Sequence, residues 1–547
     1  MILFSAVIVF LGKTEAQTVI ATGNCGANGN NLTWILTNNG TLTISGSGAM
    51  EDYSSSYPQW KQLFEDIIKT VVIGDSVTTI GVYAFTLLPQ LTSVVIGNSV
   101  ASIGKGAINR CPNLQSVTIP KNVSYIDEQS AFWACDNLKF FEVDSDNLYY
   151  ASENGVFFNK IKTILFQYPA GKTDINYSVP NGVETIYGDA FFRCYNLTSV
   201  TISKSVTTMG FVIGCAGYPV IVSVFRGCYN LTSINVESDN MNFTSENGIL
   251  FDKEKTMLLQ YPAGMTDTTY NIPNSVTTIG WGAFEDCSYL TSMIIPNTIT
   301  VIETYAFTGS GLISITISGS VTMIGPNAFI YCRSLLSITL LNLVPNSIYL
   351  GMGVFMNEGS FWNQGMCNLI VPSSAVSAYQ STEVWQEFNI VGGGILVNTV
   401  SNYSVCGYTE GNKMYNTNAT AMVSASARNG FKFVNWTKEG IEISTDSLYS
   451  FTVTEDIELV ANFFEDIEVG ITETTSPSDL VKLYPNPVST TLYIEIGNVK
   501  KNSEVKIYSI QGALLVNTKG NEIDVSSLPS GIYIVEVNGV CKKLVKQ

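Results

Sequence analysis

The sequence predicts a mainly β protein: a solenoid of stacked coils sharing a parallel sheet, then a small β module and a terminal β-sandwich. A short apolar pattern recurs about every 23 residues through the first two-thirds of the chain. After residue 394 the recurrence stops, and apolar and polar residues alternate in short runs, as in antiparallel strands. Further strand-like blocks separated by Gly and Pro follow over residues 483–547.

The recurring pattern reads L-x-S-V-x-I, then V-x-x-I, then A-F-x-x-C-x-x-L. Steps of 22 to 24 residues dominate, and the units begin at Leu91, Leu114, Leu138, Leu197, Leu231, Leu290, Leu312 and Leu335. The apolar side chains of one unit do not offset the conformational entropy of ordering about 23 residues. Stacked units cover each other's apolar faces, so the pattern predicts one continuous apolar core behind a long parallel sheet.

Two units of 59 residues, Leu138–Leu197 and Leu231–Leu290, are longer than the others. They contain nearly identical segments, SENGVFFNKIKTILFQYPAG from Ser152 and SENGILFDKEKTMLLQYPAG from Ser245. Their β-branched and aromatic runs predict strands, and YPAG predicts a turn, so we interpret the duplication as structural rather than as a duplicated catalytic loop. A third unit is about 11 residues too long, and its apolar residues 211–222 predict either a contact loop or a filled gap.

The repeat resembles the BspA-like leucine-rich repeats of bacterial surface proteins over about Thr41 to Ile390. GTLTISGSGAMEDY resembles the lead-in of that family, and CNLIVPSSAVSAYQSTEVWQEFNIV resembles its closing cap. In such a cap, Tyr379, Trp385 and Phe388 would seal the last coil. The resemblance therefore implies a leucine-rich-repeat solenoid.

The composition restricts the possible functions. A net charge of −17 argues against a nucleic-acid binder, because such proteins concentrate Lys and Arg. The chain contains no histidine, which excludes His-based triads, Cys–His dyads and His-containing metal sites. We predict no catalytic residue, no cofactor and no metal ion. No stretch approaches the ~20 consecutive apolar residues of a membrane-spanning helix.

Six cysteines share one position of the repeat, three residues before a leucine: Cys111, Cys135, Cys194, Cys228, Cys287 and Cys332. Leu88 and Gly309 occupy that position in other units, which indicates a packing site where a thiol acts as a small apolar group. An alternative stays open, because exported proteins meet an oxidising environment. Cys111 with Cys135, or Cys194 with Cys228, would lie on nearby coils within disulfide reach.

The third and fifth residues of L-x-S-V-x-I point outward, because the fourth and sixth point into the core. We predict that they form a hydroxyl-rich ligand-contact face with few charges. The face comprises Ser93, Val95, Ser116, Thr118, Phe140, Glu142, Ser199, Thr201, Ser233, Asn235, Ser292, Ile294, Ser314, Thr316, Ser337 and Thr339. Two interpretations remain: a broad platform for a large ligand, or hydroxyls that satisfy one another along the sheet.

The last third of the chain resembles two known domains. GFKFVNW and LVANF resemble the divergent internalin B-type repeat domain of secreted bacterial proteins, and we expect Trp436 in its core rather than as a sugar-stacking platform. LYPNPVSTTLYIE, VKIYSIQGALL, IDVSSLPSGIYIVEV and KKLVKQ resemble, in that order, the type A C-terminal sorting domain of the type IX secretion system. The resemblance implies a small β-sandwich recognised by the secretion machinery, with motif residues Pro485, Asn486, Pro487, Gly512 and Gly531.

The amino terminus predicts a signal peptide cut after Ala16, with a first core strand as the alternative. We therefore predict export through the periplasm to the outer-membrane surface or beyond. The predicted organisation is a signal peptide 1–16, a lead-in and cap 17–68, repeats with a closing cap 69–390, a β module 395–464, a linker 465–480 and a sorting domain 481–547.

Together these features imply adhesion or recognition without catalysis, with host matrix proteins, cell-surface proteins or glycans as candidate partners. A second hypothesis is a surface glycan hydrolase that uses two carboxylates, although the outward positions provide only Glu142. A third is a structural spacer of the cell surface.

Overall fold

A computed structural model describes most of the chain. The described residues are 17–53, 57–127, 131–213, 219–221, 223–357, 360–361, 367–403, 405–466, 481–486, 488–496, 504–509, 514–529, 531–537 and 540–546. The predicted signal peptide, residues 467–480 of the predicted linker, Pro487 and Gly512 lie outside them, as do the side chains of residues 211–222. Strands account for 44% and helices for 4% of the residues, so the mainly β prediction is confirmed.

Two compact units make up the chain: Met1–Val371 with Ala375–Gly392, and Pro372–Ser374 with Gly393–Gln547. Helical structure in the described residues is short. It consists of α1 (Gln59–Phe64), α2 (Val376–Gln380) and 3-10 turns at Pro345–Ser347, Ser373–Ala375 and Trp385–Glu387.

Three front sheets of the first unit contain the strands of the L-x-S-V-x-I motif, numbered here in chain order. Front sheet 1 has the order β1 (Val19–Gly26), β2 (Gly29–Thr37), β3 (Thr41–Gly46), β5 (Thr70–Ile73), β7 (Ser93–Val95), β9 (Ser116–Ile119), β11 (Phe140–Val143). Front sheet 2 has the order β15 (Asn176–Ser178), β17 (Ser199–Ile202), β20 (Ser233–Val236). Front sheet 3 has the order β24 (Thr269–Asn271), β26 (Ser292–Ile295), β28 (Ser314–Ile317), β30 (Ser337–Leu340), β34 (Asn368–Val371), β35 (Asn389–Gly392).

Three back sheets contain the second strand of each coil. Back sheet 1 has the order β10 (Tyr125–Ile126), β8 (Ser102–Ile103), β6 (Val77–Ile80), β4 (Gly48–Ala49). Back sheet 2 has the order β12 (Tyr150–Glu153), β13 (Val156–Asn159), β14 (Ile164–Gln167), β16 (Thr185–Tyr187), β18 (Thr208–Ile213), β19 (Pro219–Ile221). Back sheet 3 has the order β21 (Phe243–Glu246), β22 (Ile249–Asp252), β23 (Met257–Gln260), β25 (Thr278–Ile279), β27 (Val301–Ile302), β29 (Met323–Ile324), β31 (Tyr349–Leu350). A separate hairpin joins β32 (Met356–Asn357) and β33 (Ser360–Phe361).

The predicted stacking of coils is confirmed by the register of the front strands. Ser93 lies opposite Ser116, and Ser314 lies opposite both Ser292 and Ser337, so each coil repeats the position of the one before. The leucines that begin the units are at most 2% exposed: Leu91, Leu114, Leu138, Leu197, Leu231, Leu290, Leu312 and Leu335. A solenoid of parallel sheets is therefore the architecture of the first unit.

The prediction of one uninterrupted sheet and core is wrong. The front strands form three sheets, broken after β11 and after β20, and the buried apolar residues form three clusters. Both breaks fall in the two 59-residue units. There the duplicated segment forms a three-stranded antiparallel meander, β12–β13–β14 or β21–β22–β23, whose last strand starts a new parallel series.

The middle strand of each meander separates two apolar clusters. Side chains alternate across a strand, and both faces of β13 are buried. Phe157 belongs to the first cluster, whereas Val156 and Phe158 belong to the second. In β22, Leu250 belongs to the second cluster, whereas Ile249 and Phe251 belong to the third. The duplicated segment thus forms a partition within the core, that is, a strand that separates one apolar cluster from the next. This confirms the prediction that the role of the duplication is structural.

An Asn-Gly turn closes the first hairpin of each meander. Asn154 and Gly155 have φ values of 49° and 80°, as a two-residue type I′ turn requires. The Gly155 carbonyl accepts a hydrogen bond from the N–H of Phe141 at 2.9 Å, so the turn takes the position that the next front strand would occupy. The second copy repeats this arrangement, with the N–H of Ile234 donating to Gly248 at 2.8 Å.

The A-F-x-x-C segments form a third ladder between coils. The N–H of Phe85 donates to Ala107, and the N–H of Phe284 donates to Ala306, both at 2.7 Å. The residue before the cysteine position has a positive φ of 52° to 74° in every described coil: Leu87, Arg110, Ala134, Arg193, Gly227, Asp286, Gly309 and Tyr331. Gly309 therefore lies at this position, and the residue that replaces cysteine in its coil is Ser310, which corrects the assignment of Gly309 above.

The repeated cysteines pack in the core and bond to the previous coil. The thiol of Cys111 donates to the carbonyl of Phe85 at 3.1 Å, and that of Cys228 donates to Phe191 at 2.9 Å. Ten cysteines of the described residues are free thiols, and nine of them are buried. Cys111 adjoins Cys135, and Cys194 adjoins Cys228, so both pairs considered for disulfides are neighbours.

The two ends of the first unit are closed by aromatic clusters. At the amino end, Trp60 packs edge-on against Trp34 at 5.8 Å and donates its indole N–H to the carbonyl of Ala84 at 3.0 Å. At the carboxyl end, Trp385 is 1% exposed and lies 5.8 Å from Tyr379. These side chains cover coils that have no further coil to pack against.

The second unit begins with two sheets around Trp436, which is fully buried, as predicted. One sheet has the order β38 (Lys413–Tyr415), β36 (Ile395–Ser401), β43 (Ile457–Glu465), β40 (Phe431–Lys438), β41 (Ile441–Ser444). The other has the order β37 (Gly407–Glu410), β39 (Thr420–Ala427), β42 (Leu448–Thr452). The expected antiparallel pattern holds except between β36 and β43, which pair in parallel because the chain between them crosses to the second sheet and back.

Residues 481–546 form a β-sandwich, as the resemblance implied. One sheet has the order β44 (Val481–Tyr484), β45 (Thr491–Ile496), β48 (Glu522–Asp524). The other has the order β47 (Leu514–Lys519), β46 (Glu504–Ser509), β49 (Gly531–Val537), β50 (Val540–Lys546). Both sheets contribute to one apolar cluster that includes Leu492, Val505 and Val535.

Three of the sorting-motif residues lie among the described residues. The amide of Asn486 donates to the carbonyl of Lys543 and its oxygen accepts from the N–H of Val545, both at 2.8 Å, which ties the segment after β44 to β50. Gly531 is the first residue of β49 and pairs with Lys546 of β50. Pro485 follows a cis peptide bond directly after β44.

We expect Gly155→Ala to lower the free energy of unfolding of the solenoid by about 2 kcal/mol. A Cβ there would lie 2.7 Å from the Cβ of Phe140, in addition to the strain of a positive φ. Gly182→Ala is the matched control, because Gly182 has a φ of 103° and no atom within 4 Å of an added Cβ. The control is expected to lose about 1 kcal/mol. Urea denaturation compares the two variants, and equal losses would contradict the packing role of the turn.

Candidate ligand-contact face

All sixteen predicted face residues lie on the outward side of the front sheets. Their motif neighbours Val94 and Ile96 are 6% and 7% exposed, which shows the expected alternation. The third-position serines are half-buried, and the fifth-position residues Val95, Thr118, Glu142, Asn235 and Ile294 are exposed. The structure brings the residues together within each front sheet but not across the breaks, so the face consists of three parts. Their role in binding stays a prediction.

Part of the hydroxyl row is satisfied within the sheet. The hydroxyl of Ser314 donates to that of Ser292 at 3.1 Å, and the amide of Asn235 donates to the hydroxyl of Ser199 at 3.2 Å. The alternative interpretation of mutually bonded polar groups therefore applies to these residues. It does not account for the apolar side chains on the same sheets.

Three exposed aliphatic side chains at front sheet 3 are here called the open patch: Ile294 lies on β26, and Ile313 and Leu336 directly precede β28 and β30. Their exposed fractions are 67%, 45% and 57%. Ile313 and Leu336 occupy the second motif position on neighbouring coils, and the N–H of Leu336 donates to the carbonyl of Ile313 at 2.8 Å. Both residues lie outside the predicted face, which comprised only motif positions three and five. In earlier coils the second position holds Thr, Gln or Lys, and this change was the available signal.

A row of basic and aromatic side chains lies along the A-F-x-x-C ladder. The rings of Trp133 and Phe192 stack with centroids 4.6 Å apart, across the first partition. The guanidinium of Arg110 lies 5.2 Å from the Trp133 ring, and that of Arg226 lies 5.1 Å from the Phe192 ring. Each such contact contributes about 0.5–1 kcal/mol. The row connects the coil before the first partition with the coils after it, and sequence spacing did not reveal it because the partition separates its members.

Carboxylates next to this row have raised pKa values. Glu285 is 9% exposed, and burial raises its pKa to about 8, helped by Asp286 and Asp189 and opposed by Arg226. The Arg226 Nε lies 3.5 Å from one Glu285 carboxylate oxygen, while the other oxygen is buried without a hydrogen-bond partner among the described residues. Burial also raises the pKa of Asp189.

The described residues contain no group of three or more carboxylate, thiol or imidazole side chains arranged to hold a metal ion. In the part of the chain that the structure describes, no helix is both long and apolar enough to span a bilayer.

Three family models match the chain. The model described as BspA type Leucine rich repeat region matches residues 62–179, 159–213 and 264–373 in six copies. The Divergent InlB B-repeat domain matches residues 397–467, and the Secretion system C-terminal sorting domain matches residues 482–547. No curated protein matches the chain.

Several solved structures are similar to the chain. A leucine-rich repeat protein from Eubacterium ventriosum is 23% identical, with a TM-score of 0.38, over 70% of this chain and 88% of its own. A leucine rich cell surface protein from Faecalibacterium prausnitzii is 21% identical, with a TM-score of 0.37, over 66% and 93%. The pneumococcal vaccine antigen PcpA is 16% identical, with a TM-score of 0.32, over 69% and 99%.

We expect the first unit to be less stable at pH 8 than at pH 5. The pKa of Glu285 in the folded chain is about 8, above its ordinary value of 4.5, so folding takes up a proton and stability is lost as pH rises through that window. The loss is on the order of 3 kcal/mol, and Glu285→Gln should flatten it. Urea denaturation at pH 5, 6.5 and 8 measures this slope. The exposed Glu254→Gln is the control, and an unchanged slope in Glu285→Gln would contradict the assignment.

Proposed function

We propose that this chain is a non-catalytic adhesion or recognition protein. It carries a BspA-type leucine-rich repeat region and a divergent InlB B-repeat domain, and its sorting domain directs type IX secretion to the cell surface or the outside. Its solenoid holds a large protein ligand on front sheet 3. Its carboxyl-terminal domain is the segment that meets the secretion machinery.

The open patch is the observation that carries this proposal. One of its side chains, Ile294, lies on β26, and the other two, Ile313 and Leu336, directly precede β28 and β30. Exposed aliphatic side chains are unfavourable in water, and groups of them mark contact surfaces in soluble proteins. Six strands at roughly 4.8 Å make front sheet 3 about 24 Å wide, which suits a folded partner. Half-buried Ser337 and Thr339 lie on β30 and supply hydroxyls for hydrogen bonds at the interface. Aliphatic groups with hydroxyls favour a protein over a glycan.

The competing hypotheses require other features. A glycan hydrolase needs two carboxylates about 5–9 Å apart on an accessible surface, and Glu142 is the only acid among the sixteen face residues. A spacer does not require exposed aliphatic side chains aligned on one sheet.

We expect Ile294→Glu and Leu336→Glu to reduce binding to the ligand surface at least tenfold, about 1.4 kcal/mol, because each puts a charge into an apolar contact. The mature chain is applied to surfaces coated with purified extracellular-matrix proteins, to a glycan array and to soluble polysaccharides. Ile161→Glu is the matched control, since Ile161 is 76% exposed and lies away from the open patch, in the turn between β13 and β14.

Binding that both patch variants retain would contradict the assignment of front sheet 3. Release of reducing sugar from a polysaccharide would overturn the non-catalytic proposal. Binding to none of the surfaces would favour the spacer.

A further inference from the structure

Each partition creates a junction, which is the packed region where one apolar cluster meets the next. Equivalent residues of the two junctions lie 93 positions apart in the chain, but the side chains that fill the junctions differ. At the first junction, Tyr150, Phe157, Phe166 and Tyr187 are 4%, 1%, 8% and 9% exposed. Their rings pack together, with centroids 5.2 Å apart for Tyr150 and Phe157, 5.4 Å for Phe157 and Phe166, and 5.7 Å for Phe166 and Tyr187. Four aromatic rings thus close the first junction.

At the second junction the same positions hold Phe243, Leu250, Leu259 and Gly280. Two phenylalanines have become leucines and a tyrosine has become glycine, so much ring volume is lost. The structure has a cavity of about 510 Å³ here, lined by Phe243, Leu250 and Leu259 among others. Leu259 is only half-buried, whereas its counterpart Phe166 is buried. The internal duplication therefore shows that three of the four ring positions of the first junction carry no ring at the second, while Trp281 stands at the position of Gly188.

The walls of this cavity suit a flat apolar molecule. Met209, Met257 and Trp281 line it, and thioethers make favourable contacts with aromatic rings. The buried amide of Gln260 is already paired, because its oxygen accepts from the hydroxyl of Ser223 at 2.9 Å and its nitrogen donates to the carbonyl of Tyr261 at 3.1 Å.

Other polar groups line the cavity on more accessible side chains. Thr207 and Thr208 are exposed, and Glu303 is half-buried. Ligand pockets of this kind are mostly apolar with a few polar groups, and have volumes of about 300–1,000 Å³.

We propose that this cavity binds a small aromatic molecule that has either one ring or two fused rings and a single N–H or O–H donor. The rings take the place of the side chains found at the first junction, and the Glu303 carboxylate accepts from the donor. The site is separate from the open patch and independent of the function proposed for it.

The probes are indole and 4-methylphenol, with cyclohexanol as a non-aromatic control of similar size. Saturation-transfer NMR with the full chain detects binding, and calorimetry measures the dissociation constant. Leu259→Phe restores the first junction's ring and is expected to weaken binding of both aromatic probes at least tenfold. Leu250→Phe is a second variant with the same expected direction. Leu148→Phe, at a side chain that is 76% exposed, is expected to leave binding unchanged.

Binding of both aromatic probes but not cyclohexanol, lost in the two junction variants, would support the proposal. Equal binding of cyclohexanol would overturn the assignment of an aromatic ligand. Binding of the aromatic probes that neither variant weakens would overturn the assignment of the site to this cavity.

Discussion

Backbone pairing between coils is the constraint on which the first unit depends. A typical coil contributes two strands of only two to four residues and one turn, and none of these is stable without the neighbouring coil. The pairing runs along three ladders, formed by the front strands, the back strands and the A-F-x-x-C turns. In-register pairing also aligns the side chains, so that the same buried leucine, phenylalanine and cysteine contact each other from coil to coil. The aromatic clusters at the two ends follow from the same constraint.

The partitions show how such a stack can be interrupted without exposing its core. A strand buried on both faces lets one apolar cluster end and the next begin, while an Asn-Gly turn occupies the vacant ladder position of the front sheet. Across the first partition, the stacked rings of Trp133 and Phe192, with arginines over them, connect the coils on its two sides. Across the second, smaller side chains leave a cavity. The same backbone arrangement thus supports a filled junction at the first partition and an open junction at the second.

Surface and interior carry different chemistry in this chain. The thiols are placed where a weak donor can reach a carbonyl of the previous coil, which explains why cysteine recurs at a packing position. The buried carboxylate of Glu285 lies in the turn ladder rather than on a front sheet. The front sheets carry hydroxyls and, on their last part, aliphatic side chains. This division separates the groups that hold the stack together from the groups available to a partner.

Motif spacing predicted the repeat and the buried leucines and cysteines, because a side chain's place in a repeated coil is set by its position in the motif. The core position of Trp436 and the two-sheet domain at the carboxyl end were expected from the resemblance to known domains. Three features became visible in the tertiary structure: the two breaks in the sheets, the exposure of Ile313 and Leu336 beside front sheet 3, and the cavity at the second junction. The breaks and the cavity depend on which strand edges and side chains meet across the partitions. Such contacts join residues far apart in the chain, and periodicity carries no information about them.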